Sequence, residues 1–196
     1  MPAVARKSDE IGVPRMEATG QLIMVFSFYR DAELRGARLL LNLHNHLRDG
    51  DSQAKLTRHL ADETRHAMLW THRIAELGAA PAVIADGYQR RLGARIGVPK
   101  DTLELLALTL VAEGRAIDRY QSHAAMGGVD RATLEVLKAV SADEPWHLSW
   151  IERKMNELAD ERGERERAGQ VLARYREIEK DVYASFLAEE AALATG

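Results

Sequence analysis

The chain has 196 residues, enough for one well-filled core, and a single domain is the simplest expectation. Its 27 basic and 30 acidic residues leave a formal net charge of -3, which is no electrostatic footprint for bulk nucleic acid. The lack of cysteine excludes disulfides, thiolate zinc sites and thiolate-ligated iron clusters, so any metal must sit on oxygen and nitrogen.

Proline is sparse while Ala, Leu, Glu and Arg are plentiful, a composition that leans towards an all-α class. Residues 1–17 mix charges with Pro2, Gly12 and Pro14 and lack the apolar core of a secretory signal, so they read as a flexible N-terminal arm. The apolar run from Leu22 to Tyr29 soon meets Arg30, Asp31 and Glu33, short of the ~20 residues needed to span a bilayer. No membrane span and a cytoplasmic location are expected, with residues 18–196 forming one helical domain.

Helical periodicity runs from near Gly20 to about Leu47, where Arg48, Asp49, Gly50 and Asp51 signal a turn. Ser52 is placed to cap a second helix that ends at Gly78. The stretch from Gly78 to Lys100 holds Pro81, Gly87, Gly93, Gly97 and Pro99 and reads as a long crossover. Asp101 with Glu104 resembles a capping box, and the apolar run Leu103 to Val111 makes the third helix central and buried. Gly127 and Gly128 end it. Asp130 can cap a fourth helix reaching about Ala159, which Pro145 should bend. The bundle therefore occupies about residues 20–160. An extra helix over about 162–192 keeps an apolar stripe through Val171, Leu172, Tyr175, Ile178, Val182 and Phe186. It is expected against the bundle or against a second subunit, the latter implying a homodimer.

The two halves share a pattern: a lone Glu in one helix, Glu33 or Glu113, and a Glu-x-x-His in the next, Glu63/His66 or Glu144/His147. Residues three apart on a helix project together, so each Glu-x-x-His is a two-toothed ligand. Glu33 lies about 16 residues before the first turn and Glu63/His66 about as far after it, which at ~1.5 Å per residue returns them to one level. Glu113 and Glu144/His147 close on each other around Gly127 and Gly128 in the same way. Their neighbours on the helix faces are apolar, among them Leu110, Ile117, Val140 and Ile151, so the carboxylates point inward. Four carboxylates in an apolar core must take up protons or bind cations, and two divalent ions supply the charge. Mixed carboxylate and imidazole ligation suits iron or manganese.

This pattern resembles that of the ferritin-like di-iron carboxylate superfamily, whose signature is a Glu and a Glu-x-x-His from each half of a four-helix bundle. The resemblance covers about Gly20 to Ala159 and fills all six ligand positions. It implies a ferritin-like bundle with a long crossover between its second and third helices, carrying two iron ions or a manganese-containing pair. It further implies Glu33 and His66 at one ion, Glu113 and His147 at the other, and Glu63 and Glu144 bridging. By the same likeness Asp143 would hold His66 and Asp62 would hold His147, each imidazole being fixed by an aspartate of the other hairpin.

Tyr29 and Tyr120 share faces with Glu33 and Glu113 and are candidates to hydrogen-bond the site or carry an electron. Gly36 and Ala37 offer room beside the metal for oxygen or a substrate, and Leu40, Ile117 and Trp70 suggest an apolar pocket. None of the five other histidines, His59 and His123 included, is assigned to metal. Rubrerythrin-like proteins carry an extra Glu one turn after the third-helix ligand, where this chain has Ala116. Cage-forming ferritins end in a shorter fifth helix than the one read here. The expected function is therefore a dinuclear iron oxidoreductase that activates dioxygen to oxidise a small apolar organic molecule, with an external electron donor. The alternatives are a ferroxidase or peroxide-scavenging protein of bacterioferritin or rubrerythrin type, and a non-catalytic helical interaction protein.

Overall fold

The computed structural model describes residues 13–193, with side chains described for 19–188. Its elements, all helical among the described residues, are α1 (Val13–His44), α2 (Gly50–Glu76), α3 (Tyr88–Ile96), α4 (Thr102–Ala124), α5 (Arg131–Ser141), α6 (Glu144–Arg162) and α7 (Arg165–Leu193). Residues 1–12 of the expected arm lie outside this range, and the backbone is already helical from Val13.

Helix starts follow the predicted chemistry. Asp49, rather than Ser52, caps α2, its Oδ1 accepting from Ser52 N at 2.8 Å. Asp101 accepts from Glu104 N at 3.0 Å while Glu104 accepts from Lys100 N at 2.8 Å, so each satisfies a backbone donor at the start of α4. Asp130 caps α5 through Thr133 N at 3.0 Å. The crossover is not wholly irregular, since α3 forms within it between Gly87 and Gly97, the latter at φ 83°.

The expected fourth helix is two helices. Pro145 has no N–H and is tolerated in the first turn of a helix, where that donor would be unpaired. The chain breaks at Ala142 and Asp143 and restarts as α6 with Pro145 in its first turn. Glu144 thus opens a helix, where the macrodipole favours an anionic group.

α1 packs along α2, α4 packs on α6 and α5, and α7 packs on α3, α4 and α6 of its own bundle. One anchor of α7 is Glu179, which receives Arg115 Nε at 2.6 Å, Arg115 Nη2 at 2.8 Å and the Tyr88 hydroxyl at 3.0 Å. Two apolar clusters fill the bundle. One holds Leu40, Leu43, Leu56, Leu103, Leu106, Trp150, Ile151 and Met155. The other holds Phe26, Tyr29, Trp70, Ile74, Tyr120, Leu137 and Val140. The residues that separate these clusters along the helices are polar and buried.

Candidate metal centre

Between the two clusters Glu33 of α1, Glu63 and His66 of α2, Glu113 of α4, and Glu144 and His147 of α6 converge, each no more than 6% exposed. His66 Nδ1 lies 3.4 Å from Glu33 Oε2 and 3.6 Å from Glu144 Oε1. His147 Nδ1 lies 3.6 Å from Glu144 Oε2 and 3.8 Å from Glu63 Oε1. The two Glu144 oxygens thus face one imidazole each. Ligand atoms of Glu33, Glu63 and His66 lie within 4.8 Å of one another, and so do those of His59, Glu63, Glu113 and His147. Glu63 is common to both groups.

The far nitrogen of each imidazole meets a carboxylate of the other hairpin. Asp143 Oδ2 lies 3.1 Å from His66 Nε2, and Asp62 Oδ2 lies 3.4 Å from His147 Nε2. Arg65 bridges these aspartates, bonding Asp62 at 3.1 Å and contacting Asp143 closely. A carboxylate at Nε2 favours the tautomer that carries its proton there, leaving an Nδ1 lone pair aimed inward. Nδ1 of His66, Nδ1 of His147 and Oε2 of Glu144 have no hydrogen-bond partner although all are buried. Orphaned buried acceptors turned towards a common centre suit a cation, so the residues fit bound metal.

Electrostatics point the same way. Burial, then the neighbouring Glu113, Glu33 and Glu144, pushes the Glu63 carboxyl well above its ordinary value. Burial, then Glu113 and Glu33, does the same to Glu144. His147 falls to about 4 through burial and the adjacent His59, which leaves it neutral at pH 7.

Tyr120 donates its hydroxyl to Glu33 Oε1 across the bundle. The Tyr29 hydroxyl pairs with His123 Nδ1 at 3.0 Å. Trp70 stacks on Tyr120 in the apolar cluster, while Trp150 Nε1 donates to His59 Nδ1 at 3.1 Å.

His59 is the participant that sequence reasoning missed. It is fully buried, stacks on His147 with ring centroids 3.6 Å apart, and holds Nε2 3.2 Å from Glu113 Oε1 and 3.4 Å from Glu63 Oε1. Because Trp150 donates to Nδ1, a neutral His59 carries its proton on Nε2 and faces the carboxylates as a donor. The available signal was its position one turn before Glu63 on the same face.

The space expected at Gly36 is already filled. A Cβ on Gly36 would lie 2.1 Å from Glu63 Oε2, so the missing side chain makes room for a carboxylate rather than a substrate. Leu40 and Trp70 are packed in the core. Gly114 and Ile117 line an outer groove with Glu152, Arg176 and Glu179. The small cavity that Tyr120 walls, with Tyr29, Ala32, Ala112 and Ala116, is about 30 Å³.

The helix order, long crossover and buried Glu/His layer define an all-α, ferritin-like fold. A solved structure with that fold is a dodecameric thioferritin, the bacterioferritin-related protein of Bacteroides fragilis. It superposes with a TM-score of 0.59 at 24% identity, over 74% of this chain and 90% of that one. No family model and no curated protein sequence matches the chain. None of its described helices is long and apolar enough to cross a membrane.

Proposed function

We propose that Glu33, Glu63, His66, Glu113, Glu144 and His147 hold two iron ions, and that the protein is a ferroxidase or peroxide-consuming protein of bacterioferritin-related type. The observation that carries the metal reading is the inward pair of unpartnered Nδ1 atoms among four buried carboxylates. In this reading Glu63 and Glu144 are shared by both ions, Glu33 and His66 complete one site, and Glu113 and His147 complete the other. Asp143 and Asp62 fix the imidazole rings through their Nε2 protons. Tyr120 holds Glu33, and the His59 Nε2 proton faces Glu113 and Glu63.

The iron pair supplies one-electron chemistry towards dioxygen or hydrogen peroxide. The chain's side chains keep the donor atoms aimed, exclude bulk water and leave little free volume. The cavity beside Tyr120, which bonds Glu33, is about 30 Å³, room for roughly two water-sized molecules such as dioxygen or peroxide. With Gly36 covered by Glu63, the oxygenase reading loses the space it expected there. The likeness to a bacterioferritin-related protein favours the same choice. That neighbour is dodecameric, and the exposed Leu34, Leu41 and Met68 on α1 and α2 offer this chain an apolar face for self-association.

Anaerobic titration with ferrous iron, followed by dioxygen or peroxide, tests this reading. The expected result is two tightly bound ions per chain and oxidant consumption without any organic additive. Unchanged iron binding in the Glu113→Ala, Glu144→Ala double variant would remove the metal centre. Oxygen uptake that depends on an added apolar compound would restore the oxygenase.

A further inference from the structure

Outside the centre itself, the molecule carries a second buried pair of redox-capable and proton-accepting side chains. The Tyr29 ring packs edge-on against Tyr120 with centroids 5.0 Å apart, and Tyr120 donates to Glu33. On its other side the Tyr29 hydroxyl meets His123 Nδ1 at 3.0 Å. Tyr29 and His123 then line a surface groove of about 540 Å³ together with Leu22, Val25 and Met126. A continuous aromatic path therefore leads from a carboxylate of the centre to the outside.

We propose that Tyr29 and His123 form a proton-coupled relay that carries single electrons between the metal centre and this groove. The inference rests on the redox-metal reading above. A phenol gives up an electron readily only when its proton has somewhere to go, and His123 Nδ1 is within hydrogen-bond distance. Burial and the nearby Arg119 hold His123 below its ordinary pKa, against a smaller opposing influence of Asp130, so the ring is neutral and able to accept. Trp70 lies 4.9 Å from Tyr29, but its Nε1 meets no carboxylate or imidazole that could take its proton. Tyr120 donates to Glu33 of the centre itself, so Tyr29 is the phenol that joins the centre to the groove.

The step balances as follows. With a metal pair that dioxygen or hydrogen peroxide had oxidised, Tyr29 would give up one electron through Tyr120, and its phenolic proton would move to His123 Nδ1. A neutral tyrosyl radical and an imidazolium remain. A one-electron reductant at the groove then returns an electron to Tyr29, and the proton returns from His123.

Two measurements test the relay. In metal-free protein, photo-oxidation with ruthenium tris-bipyridine and persulfate should give a tyrosyl electron paramagnetic resonance signal with a deuterium-exchangeable proton coupling. Tyr29→Phe should abolish that signal, and His123→Leu should remove the exchangeable coupling; persistence of the wild-type spectrum in both variants overturns the proposal. In iron-loaded protein oxidised with peroxide, Tyr29→Phe should slow re-reduction by ascorbate at least tenfold while iron content stays at the wild-type value. Equal re-reduction rates overturn the relay. A wild-type chain that binds no iron would instead refute the metal reading, and the metal-free measurement still decides whether Tyr29 and His123 act together.

Discussion

Replacing Gly36 with alanine should raise the stability of the metal-free protein and lower its affinity for metal. The added Cβ would stand 2.1 Å from Glu63 Oε2 and 3.1 Å from Glu63 Cδ. Carbon and oxygen settle at about 3.3 Å or more, so the carboxylate must retreat by roughly 1 Å. Ligand distances tolerate only about 0.2 Å, and Glu63 is the residue common to both candidate groups. The loss should at least match the ~10 to 100-fold cost of removing an outer hydrogen bond from a metal ligand. Without metal the displaced atom is the end of a flexible side chain, while alanine in a helix interior gains about 0.5–1 kcal/mol over glycine. For a chain of this size that is roughly 1–4 °C in Tm. Calorimetry of chelator-treated protein measures the first effect, and isothermal titration with manganese measures the second. Wild-type affinity in Gly36→Ala would show that the Glu63 carboxylate does not occupy the space over residue 36, and the assignment of Glu63 as a shared ligand would fall with it.

Asp143→Ala should weaken metal binding by about 10 to 100-fold, because His66 loses the carboxylate at its Nε2. Asp160→Ala, which breaks only an exposed pair with Arg165, should leave binding unchanged, and equal effects would make Asp143 an ordinary surface acid. The stabilisation conferred by metal should grow with pH. In the metal-free protein the raised pKa values of Glu63 and Glu144 mean that their contribution to stability is full below about 4.5 and is lost as pH rises through their folded values. Bound metal needs both groups ionised, so the Tm increment from zinc should be larger at pH 7.5 than at pH 5.5, and a flat increment would contradict the burial of these charges. Glu179→Ala should cost about 3 kcal/mol, because the buried Tyr88 hydroxyl loses its partner and the Arg115 guanidinium keeps only the exposed Asp118. A fall of roughly 6–12 °C in Tm is expected, and a change under 2 °C would show that α7 is held by its apolar stripe alone.

The helical class and the convergence of the six residues were legible because helix geometry converts spacing directly into position. A separation of three puts Glu63 beside His66, and equal distances either side of a turn put Glu33 level with them. What lies opposite a residue is not encoded in its own helix. Gly36 looked like free space because its spacing reports a face, not the Glu63 carboxylate that crosses from α2 to cover it. Pro145 signalled a disturbance, yet a bend and a break differ only in whether the preceding residues find other partners. Here Asp143 turns to Arg65 and His66 instead of capping α6, and the helix restarts. The face of α7 was readable, but its choice of α3, α4 and α6 over a second subunit depends on Arg115, Glu179 and Tyr88 meeting across three elements.

A symmetric set of carboxylates and imidazoles therefore sits in an asymmetric cage. The position one turn before the Glu-x-x-His is His59 in the first half and Val140 in the second. Two turns beyond the lone glutamate stand Leu40 in the first half and Tyr120 in the second. The outcome crosses the bundle: Tyr120 of α4 serves Glu33 of α1, while His59 of α2 serves Glu113 of α4. The Glu33 side thus holds a phenol joined through Tyr29 to the surface groove. The Glu113 side holds an imidazole stacked on His147 and locked by Trp150. Two ions held by the same kinds of donor would then differ in proton supply and in electronic connection to the surface. That inequality arises from His59 and Tyr120, whose counterparts in the other half, Val140 and Leu40, are plain hydrocarbon, so it is a property of this chain's packing rather than of the Glu and Glu-x-x-His pattern it repeats.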